Sequence, residues 1–160
     1  MAATTNDAAL LLLDLQNDLV HPDGKMGAAG LPKIVAERRV LDNAAAAIDA
    51  ARSAGVPIVY VGLSYREDYA DVLSVAPRIA KMKESKLAVR GSFGAQFHEK
   101  IAPGPEDIVF YKQCVNPFFG TNLHGWLARH GIRRLFVGGV ATNLAVESAA
   151  RFADDAGFAV

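Results

Sequence analysis

The sequence lacks several features that would place the chain in a membrane, secreted or nucleic-acid-binding class. A single cysteine, Cys114, among 160 residues excludes an intramolecular disulfide. Basic and acidic residues balance at 17 each, so no positive excess indicates nucleic-acid binding. Apolar runs such as ALLLLDL are interrupted by charge far short of the ~20 residues that span a bilayer, and the start, MAATTNDAA, lacks the basic and apolar regions of a secretory signal. We therefore expect a cytoplasmic protein without membrane or nucleic-acid partners.

Length and composition predict one globular domain over residues 1–160. Apolar residues make up 51% of the chain, which is enough for a sizeable single core at this length. No internal repeat, charged tail or low-complexity linker divides the chain.

Segments typical of buried strands alternate along this domain with segments typical of helices. The continuous apolar run at 8–15 predicts a strand that is buried on both faces. The other strands are predicted at 57–63, 85–91 (a short edge strand), 107–112 and 133–139, and the helices at 40–55, 121–131 and 143–157. This alternation predicts an α/β fold of three layers, α/β/α, in which a mostly parallel sheet lies between helices. We expect the strand at 8–15 to be central in this sheet, with the strand at 107–112 beside it.

The last residues, FAV at 158–160, resemble the beginning of one more strand. Without the rest of that strand, the strand at 133–139 would keep one open edge, which invites pairing with another chain. We therefore expect that the domain lacks its C-terminal strand and helix here, or that another chain covers the edge. The alternative interpretation is a frayed tail.

Two charged residues stand at the carboxyl ends of predicted strands, where open α/β sheets bind their ligands. Asp14 comes directly out of the first buried run, and Lys112 ends the strand at 107–112. A buried carboxylate without a partner would cost several kcal/mol or become neutral, so we expect the two side chains to pair. The pair is either a structural ion pair or an acid–base dyad in which the lysine keeps the carboxylate charged.

A third element is the corner at Ala141–Ala145, between the strand at 133–139 and the helix at 143–157. The first N–H groups of a helix have no partner within it, and they can bind an anion or a developing oxyanion. Enzymes often carry a nucleophile at such a corner, which makes the alanines here unexpected. Thr142 or Asn143 also suits the ordinary role of a helix cap.

The other reactive or aromatic side chains give weaker signals. The four histidines show no H-x-H or H-E-x-x-H spacing, so we expect no metal and no cofactor. Cys114 would share the face of Lys112 in an extended chain, and a nearby ammonium lowers a thiol pKa. Because no helix start adjoins Cys114, an inert role for this thiol is favoured. Phe119 is typical of a core residue, although an aromatic ring beside a strand-end site can also clamp a flat substrate.

Four motifs, in this order, resemble the isochorismatase-like hydrolase superfamily, also called cysteine hydrolases. They are LLLDLQNDLVHPDG, GSFGAQF, VFYKQCVNPFFGTNL and VGGVATNLAVESAARFADDAGF. The resemblance runs from about Ala9 to the end of the chain. It implies a Rossmann-like, six-stranded parallel sheet between helices, with the last strand truncated or missing here, and a homo-oligomer (dimer or tetramer) that acts on a small-molecule substrate.

The resemblance also implies a role for each site residue. The family's catalytic aspartate falls on Asp14, its lysine on Lys112 and its nucleophilic cysteine on Ala145. The oxyanion hole falls on the N–H groups of Ala141 and Ala145, and a non-proline cis peptide falls on Val140–Ala141. Because alanine has no heteroatom, thiolate attack on a small amide or related C–N carbonyl is excluded for this chain.

Three explanations for Ala145 remain open. In the first, the cysteine of an amidohydrolase was replaced by engineering. In the second, nature lost the thiol and kept an aspartate-dependent site, as in isochorismatase-type members that protonate a vinyl ether. In the third, the chain is a catalytically silent ligand-binding or assembly protein. The corner VATNLAVES is more similar to the amide-cleaving branch. The resemblance also disfavours the metal-dependent nicotinamidase branch, which needs an aspartate and two histidines near the second strand. The corresponding segment here, VYVGLSYREDYADV, contains no histidine. Loops 20–33 and 64–90 are expected to select the substrate.

Overall fold

The computed structural model describes residues 7–160 and has a four-stranded, wholly parallel sheet at its centre. Residues 1–6, which hold most of the segment considered for a secretory signal, lie outside the described part. The order across the sheet is β3-β2-β1-β4, with β1 (Ala8–Leu13), β2 (Ile58–Leu63), β3 (Ile108–Lys112) and β4 (Arg134–Gly139). Each of these strands falls within a predicted one.

Helices make the crossovers that parallel strands require. They are α1 (Asn17–Val20), α2 (Leu31–Glu37), α3 (Val40–Ser53), α4 (Arg78–Ser85), α5 (Leu123–Arg129) and α6 (Glu147–Asp155). Short 3₁₀ turns cover Phe93–Ala95 and Glu99–Ile101, and a π-helical turn, Thr142–Val146, leads directly into α6. Every helix within residues 7–160 is too short or too polar to cross a membrane.

The side chains of β1 alternate between two helical layers, one on each face of the sheet. Leu11 and Leu13 pack in one cluster with residues of α5 and α6, whereas Leu10 and Leu12 pack in a second cluster with residues of α2 and α3. Each fully buried leucine stabilises the fold by about 1.5–3 kcal/mol. The predicted α/β fold with a parallel sheet is therefore confirmed, and both faces of the sheet carry helices.

Three predictions about the sheet are wrong. The sheet of the described chain has four strands rather than six, and β3 does not lie beside β1, because β2 lies between them. The predicted edge strand at 85–91 contributes only an isolated parallel bridge, between Val89 and Tyr65. Lys86 and Ala88 have φ of 56° and 54°, in the left-handed region, and this conformation interrupts an extended strand.

Residues 158–160 run parallel to β4. The N–H of Leu135 donates to the carbonyl of Ala159 at 2.8 Å, and the N–H of Ala159 donates to the carbonyl of Arg133 at 2.9 Å. This pairing has the hydrogen-bond pattern of a parallel ladder. The interpretation of the segment as a frayed tail is therefore wrong.

Candidate active site

Asp14 follows β1 and Lys112 ends β3, and their side chains meet at the carboxyl end of the sheet. The Lys112 Nζ lies 2.9 Å from the Asp14 Oδ2, and it also donates to the carbonyl of Val115 at 2.7 Å. The lysine side chain is 0% exposed and the aspartate side chain 6% exposed. The pairing expected from the sequence is therefore present, although β2 separates the two strands.

One oxygen of the Asp14 carboxylate is left free by this pairing. Among residues 7–160, the buried Asp14 Oδ1 has no hydrogen-bond partner. Burial raises the pKa of Asp14, while the charge and hydrogen bond of the Lys112 ammonium oppose that rise. Asp14 therefore holds a proton more readily than an ordinary aspartate, and its free oxygen is the atom that can exchange one with a ligand.

The backbone of Asp14 is held in a conformation that L-residues rarely adopt. Its φ is 58°, which costs roughly 1–2 kcal/mol for a non-glycine residue. The N–H of Asp14 donates to the carbonyl of Val61 at 2.9 Å, so β2 supports this turn. Ala141 is also left-handed, with φ of 59°, and strained residues of this kind cluster at functional sites.

The corner after β4 approaches the end of β1 closely enough to require glycine. Gly139 has φ of 142°, and a Cβ there would lie 2.1 Å from the carbonyl oxygen of Leu13. The same oxygen accepts a hydrogen bond from the N–H of Val140 at 3.1 Å. These contacts bring the π-helical turn, with the buried Ala145, to the strand end that carries Asp14.

The Ala141 N–H fits the predicted oxyanion donor in one respect. Within residues 7–160, it donates to no backbone carbonyl, so it is available to a ligand. The expected cis peptide at Val140–Ala141 is wrong, because the described residues contain no cis peptide. Instead, the left-handed Ala141 turns the chain into the helix, with the N–H of Leu144 donating to the Ala141 carbonyl at 2.9 Å.

Two buried polar side chains after Asp14 hold the surrounding loops rather than the site itself. The Gln16 Nε2 donates to the carbonyls of Leu63 at 2.7 Å and Ala95 at 2.6 Å. The carboxylate of Asp18 accepts from the N–H groups of Lys25 at 3.2 Å and Ala88 at 2.7 Å. These bonds satisfy both side chains where they are buried, and they tie separate loops together.

A cavity of about 300 Å³ opens beside the Asp14–Lys112 pair. Its lining includes the predicted site residues Asp14, Lys112, Ala141 and Ala145. Its walls are largely apolar and include Leu19, Met26, Leu31, Leu63, Tyr65, Ile79, Met82, Leu87, Val115 and Leu144. The structure thus brings the predicted residues to one cavity, while their catalytic roles remain predictions.

Phe119 does not belong to this cavity. Its side chain is 64% exposed, and it is not among the lining residues. Its carbonyl, at 3.4 Å, and that of Asn116, at 3.3 Å, accept from the Cys114 thiol, which does line the cavity. Burial raises the pKa of Cys114, and Lys112 opposes that rise, so the thiol stays protonated near neutral pH.

The sequence interpretation missed the wall formed by α4. Arg78, Ile79, Lys81 and Met82 of this helix line the cavity. The available signal was the spacing of Ile79 and Met82, three residues apart, which puts two apolar side chains on one helix face. Two such apolar side chains in a largely polar stretch are too few to predict a helix or the surface against which it packs.

The histidines do not form a metal site with their neighbours in the described chain. His21 lies 5.2 Å from Phe93 and 5.5 Å from His98, measured between ring centroids. Within residues 7–160, no three His, Cys, Asp or Glu side chains are grouped so that they could hold a metal ion. The expectation of no metal and no cofactor remains a prediction.

Solved structures similar to this chain include three that are named as a cysteine hydrolase, a putative isochorismatase and an amidase. A cysteine hydrolase from Pseudomonas syringae pv. phaseolicola 1448A has a TM-score of 0.75 and 21% identity, over 99% of this chain and 70% of its own. A putative isochorismatase from Burkholderia xenovorans LB400 has a TM-score of 0.68 and 32% identity, over 98% and 65%. An N-carbamoylsarcosine amidase from Thermoplasma acidophilum has a TM-score of 0.71 and 25% identity, over 96% and 79%.

The sequence match to a family agrees with these structural similarities. The Isochorismatase domain matches residues 8–160, which is nearly the whole described chain. The match includes β1 with Asp14, β3 with Lys112 and the corner that leads into α6. The chain therefore belongs to the isochorismatase domain family and has the fold of its hydrolases.

Proposed function

We propose that the cavity is the active site of a hydrolase for a small amide or a related C–N bond, in which alanine occupies the nucleophile position. The observation that carries this proposal is the buried Asp14–Lys112 pair, 2.9 Å between Nζ and Oδ2, which lines the same cavity as Ala141 and Ala145 and leaves the Asp14 Oδ1 without a hydrogen-bond partner among residues 7–160. The similarity to a structure named as an amidase supports the C–N class.

The chemistry follows for a variant that has cysteine at position 145. Asp14 takes the thiol proton, and the thiolate attacks the carbonyl carbon of the substrate. The N–H groups of Ala141 and of residue 145 stabilise the oxyanion, each donor being worth about 3 kcal/mol. The proton on Asp14 passes to the departing amine, which leaves a thioester. Asp14 then deprotonates water, the hydroxide attacks the thioester carbonyl, and the acid is released as the C–S bond breaks and the thiolate regains the proton from Asp14. Lys112 holds Asp14 in place through its hydrogen bond to Oδ2.

A gain-of-function variant tests this proposal. In a Cys114→Ser background, Ala145→Cys places the only thiol of the protein at the predicted position, while Ala128→Cys places it on the exposed face of α5. Both proteins are assayed on N-carbamoyl compounds and simple primary amides, with released ammonia as the readout. We expect turnover with the thiol at 145 alone. Equal, background-level release from two well-folded variants would contradict amide hydrolysis.

A second function is favoured by the state of Asp14. Its raised pKa and free Oδ1 make it a proton donor that needs no thiol. In that reaction Asp14 protonates the terminal carbon of a vinyl ether, water adds to the resulting oxocarbenium carbon, and the hemiketal breaks into a ketone and an alcohol. The unaltered chain would then cleave an enol ether, and deuterium from D₂O would appear on the protonated carbon. This alternative requires that Asp14→Asn lose both the cleavage of the enol ether and the incorporation of deuterium. Ligand binding without either product would indicate a catalytically silent protein.

A further inference from the structure

The cavity carries positive charge that the proposed chemistry does not use. Its lining contains one carboxylate, on Asp14, and three cations, on Arg78, Lys81 and Lys112. Lys112 is already paired with Asp14 at 2.9 Å. The cavity lining therefore carries two positive charges, on Arg78 and Lys81, in addition to the Asp14–Lys112 pair.

Neither Arg78 nor Lys81 has a carboxylate partner in the described structure. Within residues 7–160, neither forms an ion pair, and the hydrogen bond of the Arg78 guanidinium to the Ser74 Oγ is long, at 3.4 Å. Three other cations of the same region are paired: Arg66 with Asp68 at 2.9 Å, Arg90 with Asp71 at 3.2 Å and Lys86 with Glu67 at 3.7 Å. Lys83, the third cation of α4, also forms no ion pair within residues 7–160, but it does not line the cavity, whereas Arg78 and Lys81 do.

The charge of Arg78 is felt inside the cavity. Burial raises the pKa of Tyr65, whose side chain lines the cavity, and the Arg78 guanidinium opposes that rise. Asp14 adds to the rise, so the same phenol senses the catalytic carboxylate and the α4 cation. Both the Arg78 guanidinium and the Asp14 carboxylate are therefore close enough to Tyr65 to act on its phenol.

The rest of the cavity lining suits an apolar group. The remaining wall residues are mostly aliphatic or aromatic, and burial of such a group stabilises a complex in proportion to its area. The volume of about 300 Å³ is at the lower end of the range for small-molecule pockets. A compact ligand is required.

We propose that the cavity binds an amphipathic anion, with an apolar aliphatic or aromatic body and a carboxylate directed to Arg78 and Lys81. The orientation rests on the proposed function, because it places the amide group of the same molecule at Asp14 and Ala145. The planar guanidinium of Arg78 matches a carboxylate in a bidentate manner. Lys81 adds a mobile point charge on the same helix.

Three probes that share a phenylacetamide body and carry an anionic, neutral or cationic para substituent test this inference by calorimetric titration of the unaltered protein. They are 4-carboxyphenylacetamide, its neutral methyl ester and the cationic 4-(aminomethyl)phenylacetamide. We expect the acid to bind roughly three- to tenfold more tightly than the ester at low salt, since exposed ion pairs contribute modestly, and the cation to bind most weakly. Salt at about 0.5 M should reduce the difference.

Variants of α4 assign the preference to its cations. Arg78→Gln/Lys81→Gln should bind acid and ester equally, whereas Lys83→Gln, on the same helix but not lining the cavity, should keep the preference. The acid should also protect Cys114, a lining residue, from alkylation, which places the probe in this cavity. Equal binding of acid and ester to the unaltered chain, or an unchanged preference in the double variant, would overturn the inference.

The outcome is separable from that of the proposed function. A charge preference in binding, without amide turnover by the cysteine variant, contradicts amide hydrolysis and leaves the anion site standing. Amide turnover by the cysteine variant, without a charge preference in binding, supports amide hydrolysis and contradicts the anion site.

Discussion

The Lys112 Nζ lies 2.9 Å from the Asp14 Oδ2, although an entire strand separates β3 from β1. The lysine side chain crosses the carboxyl end of β2 to reach the carboxylate, and the carbonyl of Val115 accepts a second hydrogen bond from it at 2.7 Å. One oxygen of Asp14 is thereby fixed, and the other, also buried, has no hydrogen-bond partner in the part of the chain that the structure describes.

Breaking this buried pair should destabilise the fold. Lys112→Met leaves a buried carboxylate unpaired, and we expect a loss of about 3–5 kcal/mol in the free energy of unfolding, measured with urea. Asp14→Asn/Lys112→Met should lose clearly less than the sum of the two single variants, because their effects are coupled. Strictly additive losses would mean that the two side chains do not interact.

The close approach at the β4 corner predicts different effects for two adjacent glycines. Gly139→Ala should cost at least about 2 kcal/mol in unfolding free energy, because its Cβ would overlap the Leu13 carbonyl at 2.1 Å and its φ is 142°. Gly138→Ala is the matched control, since the nearest atom to its Cβ is the Leu12 Cδ2 at 3.8 Å. Similar thermal unfolding of both variants would contradict this packing.

Asp18 should matter for the cavity through the loop that it holds. Asp18→Asn replaces one of two acceptor oxygens with a donor that faces a backbone N–H, and we expect a loss of about 1–3 kcal/mol in urea unfolding. The Ala88 N–H is one of the two donors, and Leu87 beside it lines the cavity, so probe binding should weaken too. The exposed Asp23→Asn serves as the control, and equal stability of the two variants would argue against the role of Asp18.

The single thiol reports on the electrostatics of the cavity. Burial raises the pKa of Cys114, so alkylation followed by mass spectrometry should be slow at neutral pH and should accelerate only above the ordinary thiol pKa. Lys112 lowers this pKa and Asp14 raises it. Asp14→Asn should therefore speed alkylation at a fixed alkaline pH. An unchanged or slower rate in that variant, with the fold intact, would show that Cys114 does not sense the pair.

The pH dependence of the cysteine-bearing variant should reflect Asp14. The carboxylate must be ionised to take the thiol proton, so amide turnover by Ala145→Cys should fall as pH falls through the pKa of Asp14. Because burial raises that pKa, the acid limb should lie at higher pH than for an ordinary aspartate. Adding Asp14→Asn should reduce turnover by at least about 100-fold. Turnover that survives this substitution would assign the base elsewhere.

The sequence alone determined the parallel α/β character of this protein and the charged residues at its strand ends. A strand that is buried on both faces has a nearly continuous apolar run, so β1 was recognisable, and the carboxylate that interrupts this run identified Asp14. Lys112 was recognisable for the same reason, at the end of β3. Such signals are local, because they depend on the period and composition of a few consecutive residues.

Only the tertiary structure decided how these elements meet. Strand order depends on crossovers between distant segments, which is why the position of β2 between β1 and β3 was not predicted. The left-handed Lys86 and Ala88 turn an apparent strand into a loop held by Asp18. The same packing places the polar, weakly patterned α4 over the cavity with its two cations. A cavity wall is formed by long-range contacts, and no run of neighbouring residues encodes those contacts by itself.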